Sequence, residues 1–328
     1  MDDREPIFSH TPVLLSECIE GLAIRPDLTY VDCTTGGGGH SFEIAKRLGD
    51  NGRLICLDRD ADALRAAKER LSPFLDKITF VHVNFSEISS VIDEYGVTNL
   101  GGVLMDLGCS AFQQTEASRG FSYMKDAPLD MRMNREDELT ARDVVNGYPP
   151  EKLFKIIDLY GEERFASAIV TAIVKRREIE PIETTAELAK IVSSAIPKKI
   201  RLTGHHPAKK TFQAIRIEVN RELDAISPAI RGASDKLIPG GKLVIISFQS
   251  GEDRIVKNVF SELANPCICP RDFPVCVCGR KPILEIDTRK PILPSETELS
   301  ENPRSRSAKL RIATKLPIPA TDKRGETT

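Results

Sequence analysis

The sequence predicts an α/β protein: a doubly wound, mostly parallel sheet with an inserted all-helical subdomain. Two observations predict this fold class. Short apolar segments alternate with helical patterns through the first hundred residues, which is typical of βαβ units. From about 138 to 200 the apolar periodicity is helical only, so we expect a subdomain made of helices there.

The first part of the sheet is expected to hold four strands. They lie at about 29–33, 53–58, 78–83 and 102–107, with helices near 38–48, 60–71 and 86–95 between them. After the fourth strand, residues 108–134 are polar and show little periodicity. A loop of this length inside a compact protein is more often functional than idle, so we expect it to border a site.

The remaining elements follow from helix and turn signals. The pattern predicts a helix from Glu162 to Ile179, and the spacing of Thr184 and Glu187 is that of a capping box before another. Further elements are a helix at about 209–225, a helix starting at Ser227-Pro228, a turn at Pro239-Gly240-Gly241, a fifth strand from Lys242 to Phe248 and a last strand near 307–315.

We therefore expect three regions. Residues 8–134 and 206–316 form a discontinuous cofactor-binding domain, residues 135–205 an inserted helical subdomain for substrate recognition, and residues 317–328 a flexible tail.

The composition is that of a globular protein, with 41% hydrophobic and 29% charged residues. No apolar run approaches the ~20 residues that span a bilayer, and the acidic start Met1–Pro6 is unlike a signal peptide. A cytoplasmic location without membrane partners is the expectation. The net charge of −2 does not decide on nucleic acid, because such binding depends on where charges cluster.

Three predicted strands end in an acidic residue or a glycine turn. The first leads through Asp32 into Gly36-Gly37-Gly38-Gly39, the second ends at Asp58, and the fourth ends at Asp106. Gly38 and Asp58 are about 20 positions apart, the interval at which a second strand delivers a carboxylate to ribose hydroxyls. The pattern indicates a pocket for an adenosine-containing cofactor at the carboxyl ends of parallel strands. Asp58 and Asp106 have a plainer alternative, because aspartate often caps the following helix.

The glycine loop favours a methyl donor over a nicotinamide cofactor. The dehydrogenase fingerprint requires a third glycine where this chain has Ser41 or Phe42, so neither register fits. The order Asp32-x-Thr34-x-Gly36-x-Gly38 is instead similar to the first motif of class I S-adenosylmethionine-dependent methyltransferases, which have a Rossmann-like fold. A nicotinamide oxidoreductase stays a distant alternative.

Beyond this loop, the chain resembles the RsmH (MraW) family of ribosomal RNA small-subunit methyltransferases along nearly its whole length. The motifs that carry the resemblance are His10–Leu15, Gly38–Ser41, Asp58–Asp60, Asp106–Gly108, Arg119–Ser122, Pro128–Met133, Tyr160–Phe165, Thr211–Ile217, Glu252–Lys257 and Asn302–Ser307. Unrelated methyltransferases share only the first motif, so this set is specific.

The resemblance implies methylation of the N4 amine of a cytidine in the decoding region of 16S ribosomal RNA, with S-adenosylmethionine as donor. It maps the cofactor contacts onto Gly38, Gly39, His40, Asp58, Phe85, Asp106 and Gln113. Phe85 could stack on adenine or pack in the core. Asp106 is also the candidate catalytic acceptor near the exocyclic amine. The implied partner is 16S ribosomal RNA or the small ribosomal subunit. A homodimer stays open beside it.

The chain departs from the family pattern in the loop after Asp106-Leu107-Gly108. Ala111 replaces a serine, Gln114 and Thr115 replace leucine and aspartate, Ala127 replaces glycine and Gln249 replaces histidine. These departures are those expected of a divergent second copy of the family. They keep a second function open, namely a non-catalytic RNA-binding protein of ribosome assembly that retains the donor pocket.

Basic residues are the candidate phosphate contacts, although a solvated helix face is the usual explanation of such runs. They are Lys175-Arg176-Arg177, then Lys198, Lys199, Arg201, Lys209 and Lys210 with His205 and His206, then Arg304, Arg306, Lys309 and Arg311.

Four of the eight cysteines are grouped. Cys267 and Cys269 face Cys276 and Cys278 across a proline-rich loop. Four thiols can satisfy tetrahedral zinc. The one-residue spacing within each pair is tighter than that of zinc knuckles, so the sequence favours free thiols and assigns no metal.

Overall fold

A computed structural model describes residues 11–201, 206–270, 273 and 275–317. Within them, seven strands form one sheet in the order β3-β2-β1-β4-β5-β7-β6. The strands are β1 (Thr29–Asp32), β2 (Arg53–Asp58), β3 (Ile78–His82), β4 (Leu100–Asp106), β5 (Leu237–Ser247), β6 (Leu284–Ile286) and β7 (Lys309–Lys315).

The sheet is parallel from β3 to β5, whereas β7 pairs antiparallel with both β5 and β6. The chain winds outward from β1 in one direction to β3 and in the other from β4 to β5. Ligands of doubly wound sheets bind where this order reverses, outside the carboxyl ends of the strands. Here that point lies between β1 and β4.

The helices fall between and beyond the strands. They are α1 (Leu15–Leu22), α2 (Gly39–Ala45), α3 (Ala61–Arg70), α4 (Ile88–Glu94), α5 (Ala111–Thr115), α6 (Ala141–Gly147), α7 (Pro150–Leu159), α8 (Ala166–Arg177), α9 (Thr185–Ala195), α10 (Lys198–Arg201), α11 (Lys209–Asn220), α12 (Glu222–Lys236), α13 (Ser250–Ala264) and α14 (Glu296–Glu301). None of those in the described ranges has both the length and the apolar character to cross a bilayer.

The chain forms two compact units. The sheet unit contains residues 11–58, 62–107 and the described part of 225–328, and the helical unit contains residues 59–61 and the described part of 108–224. In the sheet unit, α1 and α2 pack their apolar faces on one side of β1, β2, β4 and β5. The helical unit has its own core, built from α6 to α9 and α11. The predicted fold class, a doubly wound α/β sheet with an inserted all-helical subdomain, is confirmed.

Most predicted elements are present, with ends that differ by a few residues from the expected ones. The capping box at Thr184 is confirmed, because Glu187 N–H donates to Thr184 Oγ1 and the Glu187 carboxylate accepts from Thr184 N–H. The turn at Pro239-Gly240-Gly241 lies within β5 as a register shift opposite Leu100 and Gly102.

One expectation about the second half of the chain was wrong, and one strand was not predicted. Ser227-Pro228 does not begin a helix, because Pro228 lies inside α12. The buried residues Ala225, Ile226, Ala229 and Ile230 hold that helix in place despite the missing proline donor. The short strand β6 was also missed, since three residues carry too little periodicity to be recognised.

Some sequence-based predictions lie outside the described residues. They are those on residues 8–10, on residues 202–205, which include His205, and on residues 318–328 of the expected tail. The domain boundaries 8–134, 135–205 and 206–316, with the role assigned to the inserted segment, stay predictions.

Candidate functional site

Three aspartates lie at one edge of the sheet. Asp32, Asp58 and Asp106 are the last residues of β1, β2 and β4, and these strands are neighbours in the order β2-β1-β4. Asp32 is in register with Cys56 and with Leu104, so Asp58 and Asp106 each extend two residues beyond it. The structure therefore brings the predicted strand-end carboxylates to the same edge, at the point where the strand order reverses.

The loop after β1 is tied to both neighbouring strands. Gly36 N–H donates to Asp58 Oδ2 over 2.8 Å, and Thr35 N–H donates to the Leu57 carbonyl over 3.0 Å. On the other side, Asp106 N–H donates to Thr34 Oγ1 over 2.6 Å. The side chain of Asp58 and the backbone of Asp106 are thus positioned by the glycine loop itself.

Two glycines of this loop are required by their surroundings. Gly38 has a φ of 76°, and a Cβ atom there would lie 3.3 Å from the Cα of Ala67 in α3. A Cβ atom on Gly39 would lie 2.4 Å from the Cγ of Pro12. Any side chain would displace backbone or ring atoms, so the close approach of these segments depends on glycine.

Asp32 organises the loop from within. Its carboxylate accepts hydrogen bonds from Thr34 N–H at 3.1 Å and from the Ser41 hydroxyl at 2.6 Å. Burial raises the pKa of Asp32 to about 6, although both hydrogen bonds act to lower it. Both oxygens accept hydrogen bonds within the loop, so the structure gives Asp32 a positioning role.

Asp106 has an acceptor atom without a donor. Its Oδ1 atom is buried and accepts no hydrogen bond from any described residue. Burial, together with the nearby carboxylates of Asp32 and Glu252, raises the pKa of Asp106 to about 8. Burial and the two neighbouring carboxylates disfavour the ionised form of Asp106. A cation or a hydrogen-bond donor beside the carboxylate would favour that form again.

Glu252 completes a cluster of three acidic residues with Asp32 and Asp106, and it was missed in the sequence. It is 1% exposed, and its Oε2 accepts from the N–H groups of Phe248 and Gln249 at 2.8 and 3.1 Å. It thereby forms the capping box at the start of α13. The sequence contains the capping-box spacing Gln249-x-x-Glu252. It was not recognised because glutamine is an unusual residue at the N-cap position.

His40 is buried at the start of α2. Its Nε2 lies 3.1 Å from the Val13 carbonyl, which can only accept, so Nε2 carries the proton of the neutral ring. Burial lowers the pKa of His40 to about 4. The ring is therefore neutral at physiological pH and holds the segment before α1 against α2.

Phe85 begins the short 3₁₀ turn Phe85–Glu87 that follows β3. The ring is half-buried. Val83 N–H donates to the carbonyl of Asp58 over 3.0 Å, so the chain leading to Phe85 runs along the end of β2. This places Phe85 at the same sheet edge as Asp58, where both stacking on a ligand and packing in the core fit its partial burial.

Gln113 belongs to the helical unit and is buried there. Its Oε1 accepts from Ser110 N–H over 3.0 Å, and its Nε2 donates to Asp60 Oδ2 over 2.8 Å. Arg119 donates to the same Asp60 oxygen over 2.8 Å, and this ion pair is nearly inaccessible to solvent. These contacts account for the burial of Gln113, while its expected contact with the cofactor stays a prediction.

The helical unit also gathers motif residues that are distant in sequence. Asn220, at the end of α11, accepts from Met133 N–H at 2.7 Å and donates to the Met131 carbonyl at 2.8 Å. Arg216 forms an ion pair with Glu222 at 2.8 Å and donates to Cys109 Sγ at 2.8 Å. The loop after Gly108 is therefore held by α11.

The basic residues differ in exposure. Lys198, Lys199 and Arg201 on α10 are exposed, as are Lys209 and Lys210 at the start of α11, although Lys210 Nζ donates to the Glu162 carbonyl. His206 stacks on Tyr123 with ring centroids 4.4 Å apart. Arg311 is buried in an ion pair with Asp253 at 2.7 Å, so it is a structural cation.

Residues 7–316 match the model of the MraW methylase family. A protein of Clostridioides difficile strain 630 named "Ribosomal RNA small subunit methyltransferase H" is 55% identical over 309 residues, which cover 94% of this chain and 99% of that protein. A protein of the same name from Symbiobacterium thermophilum is 53% identical, covering 94% and 97%. Among solved structures, a "putative rRNA-methylase" from Clostridium thermocellum has a TM-score of 0.45 at 12% identity, covering 94% of this chain and all of that one.

Proposed function

The chain belongs to the MraW methylase family, and from that membership we propose that it methylates the N4 amine of a cytidine in the decoding region of 16S ribosomal RNA. Membership makes it a methyltransferase, and S-adenosylmethionine is the donor. The names of its relatives support the small-subunit RNA as substrate. The methylated base, a cytidine, and the methylated atom, N4, are the more specific part of the proposal.

The observation that carries the proposal is the cluster of Asp32, Asp106 and Glu252, in which the Oδ1 atom of Asp106 is buried and accepts no hydrogen bond from the described residues. S-adenosylmethionine carries a sulfonium and an ammonium group against one carboxylate, so it is a cation overall. A nicotinamide dinucleotide carries two negative charges on its pyrophosphate. Three neighbouring acidic residues at this edge of the sheet favour the cation and disfavour the anion.

Each strand end offers a contact for one part of the cofactor. Asp58 would hold the ribose hydroxyls, because its carboxylate is oriented by Gly36 at the end of the second strand. Asp106 would accept from the ammonium group, which supplies the donor that its Oδ1 lacks. Gly38, Gly39 and His40 would shape the backbone around the methionine part, and Phe85 would stack on adenine.

When bound, the cofactor supplies a methyl group on a positively charged sulfur. The protein's part is to hold the acceptor amine close to that group and in line with it. The cytosine amine is a poor nucleophile because its lone pair is delocalised into the ring. A nearby acceptor would localise that pair and take up the proton that the nitrogen loses when its bond to carbon forms.

Asp106 is the candidate for that acceptor as well as for the ammonium contact. With its pKa raised to about 8, Asp106 keeps its proton at neutral pH, so it must first be deprotonated before it can take up the proton of the amine. The two roles differ in outcome. If Asp106 only binds the cofactor, Asp106→Asn should weaken cofactor binding and leave single-turnover methylation at saturating cofactor intact.

Substrate RNA must present an unpaired base, since the reactive edge of cytosine is hidden in a helix. The exposed cations of α10 and of the start of α11 support phosphate contacts by the helical unit. Recognition of substrate by residues 135–205, an RNA-binding role in the cytoplasm and a homodimer are further parts of the proposal.

The test uses small subunits from a strain that lacks this gene. Purified chain and labelled S-adenosylmethionine should place one methyl group on the RNA, and mass spectrometry of nucleosides should identify N4-methylcytidine. A methyl group on another atom or base would overturn the finer proposal. Binding to subunits without any transfer would instead support the non-catalytic assembly protein, which the altered residues Gln114 and Gln249 favour.

A further inference from the structure

Four cysteines converge in the loop that joins α13 to β6. The Sγ atoms of Cys267, Cys269, Cys276 and Cys278 all lie within 4.8 Å of one another. The other four cysteines of the chain lie elsewhere, three of them buried. This cluster takes no part in the proposed methyl transfer and needs its own explanation.

The separations of the sulfur atoms match a shared metal ion. Cys276 Sγ lies 3.5 Å from Cys267, 3.9 Å from Cys269 and 3.4 Å from Cys278, and Cys267 lies 3.9 Å from Cys278. Four sulfurs placed tetrahedrally at the Zn–S distance of about 2.3 Å are about 3.8 Å apart. A disulfide requires about 2.05 Å between two sulfurs. One sulfur near three others cannot form three disulfides, whereas one central ion contacts all four.

The described residues of this loop lack a buried core that would hold its shape. None of its described residues between Asn265 and Ile283 is buried. Its apolar side chains Ile268, Val275 and Val277 are 65%, 70% and 73% exposed, so hydrophobic burial does not order it. A segment without a core can be held by a structural metal site.

We propose that Cys267, Cys269, Cys276 and Cys278 bind one structural zinc ion. Thiolate sulfur is a soft ligand that selects zinc or iron over magnesium and calcium. The N–H of Val277 lies 3.4 Å from Cys269 Sγ, which adds the kind of backbone contact that orients a metal ligand. The tight spacing within each pair, which made the sequence favour free thiols, is compatible with this site because the two pairs meet across the loop.

Zinc analysis of the full-length chain tests the proposal. The chain is purified without chelator, freed of any histidine tag and kept reduced, and its zinc and iron contents are measured by mass spectrometry. One zinc ion per chain is expected. Cys276→Ser should lose most of this zinc, because it removes the sulfur nearest to the other three. Val277→Ser, which changes an exposed neighbour in the same loop, should keep it.

A second measurement guards against misfolding of the cysteine variant. Cobalt added to the metal-free wild-type chain should give the intense visible spectrum of a tetrahedral tetrathiolate site, and zinc should then abolish it. Equal zinc in Cys276→Ser and wild type, an iron content in place of zinc, or wild-type chain with neither zinc nor a tetrahedral cobalt spectrum would each overturn the proposal. Methylation activity is not a readout here, so these outcomes stand apart from the proposed function.

Discussion

The N–H of Asp106 donates a 2.6 Å hydrogen bond to the hydroxyl oxygen of Thr34. This contact joins the end of β4 to the loop after β1, at the point where the strand order reverses. It therefore sets the position from which the Asp106 side chain extends.

Thr34→Val tests that contact, because valine keeps the shape and removes the acceptor. An unsatisfied buried N–H costs about 1–3 kcal/mol, so we expect a loss of stability in that range and about tenfold weaker binding of S-adenosylmethionine. Denaturant unfolding and calorimetric titration measure the two effects. Thr171→Val, which removes an exposed helix contact, is the control and should change neither by a comparable amount.

Asp106→Asn should weaken binding of S-adenosylmethionine by about 10- to 100-fold, because a charge-assisted hydrogen bond contributes about 1.5–3 kcal/mol. Asparagine keeps the volume and loses the charge. Calorimetric titration measures affinity, and rapid-quench methylation measures transfer. Asp27→Asn, an exposed change on the same unit, should leave both intact. Unchanged affinity in the Asp106 variant would contradict the ammonium contact.

Affinity for the cationic cofactor should rise with pH. The pKa of Asp106 is about 8, so below that pH the group must lose its proton to act as a charged acceptor. We expect up to tenfold tighter binding per pH unit as pH rises from about 6 to 8, and a level response above. The slope should be much smaller in Asp106→Asn. Identical pH profiles for the two proteins would remove Asp106 from the cofactor contacts.

Stability without ligand should change with pH in the opposite direction. The folded-state pKa values of Asp106 and Asp32, about 8 and about 6, lie above the ordinary value of 3.8. The folded chain therefore keeps protons that the unfolded chain has lost, and the free energy of unfolding contributed by these groups falls as pH rises from about 4 to 8. Denaturant unfolding across this range should show a shallower fall in Asp106→Asn than in wild type.

Gly38→Ala should lower the free energy of unfolding by more than the conformational strain of a positive φ alone would. Such strain costs about 1–2 kcal/mol for an alanine, and the new Cβ would in addition press on Ala67 at 3.3 Å. Gly96→Ala is the matched control, since it has a φ of 60° with nothing within 4 Å of the added atom. The difference between their unfolding free energies measures the contact of the loop with α3. Equal losses would mean that this contact is easily relieved.

RNA binding should depend steeply on salt through the cations of α10. Each phosphate contact contributes about 0.7–0.9 to the slope of log affinity against log salt concentration. The double variant Lys198→Ala, Lys199→Ala should therefore bind RNA more weakly and with a shallower slope. Lys68→Ala, Lys257→Ala makes the same charge change at exposed positions of the sheet unit. Equal slopes for the two variants would exclude α10 from the interface.

The sheet edge was predictable because its signals are local. A strand that ends in aspartate and a run of glycines are visible within ten residues, and parallel strands bring their carboxyl ends together. Asp58 and Asp106 lie where that rule expects them. The antiparallel pairing of β7 with β5 joins residues that are about 65 positions apart, so no local pattern reveals it.

Other features depend on tertiary contacts that a single sequence does not display. In the sequence, Glu252 has the pattern of a helix-capping residue. It comes close to Asp106 only because β5 pairs with β4. Asp60 and Arg119 form a buried ion pair that joins two loops. The hydrogen bonds of Gln113 to Asp60 and to Ser110 account for the burial of Gln113, which the family pattern did not suggest. The cysteine pairs likewise show their geometry only in three dimensions.

The position of β7 has a consequence for synthesis of the chain on the ribosome. β7 is the last of the described strands in chain order, yet it lies between β5 and β6 and covers the edge of β5 from Lys242 to Ser247. A nascent or truncated chain that stops before Lys309 would leave the apolar residues Leu243–Ile246 on an open edge, where another chain could add a strand. Termination before Lys309 should therefore yield insoluble fragments.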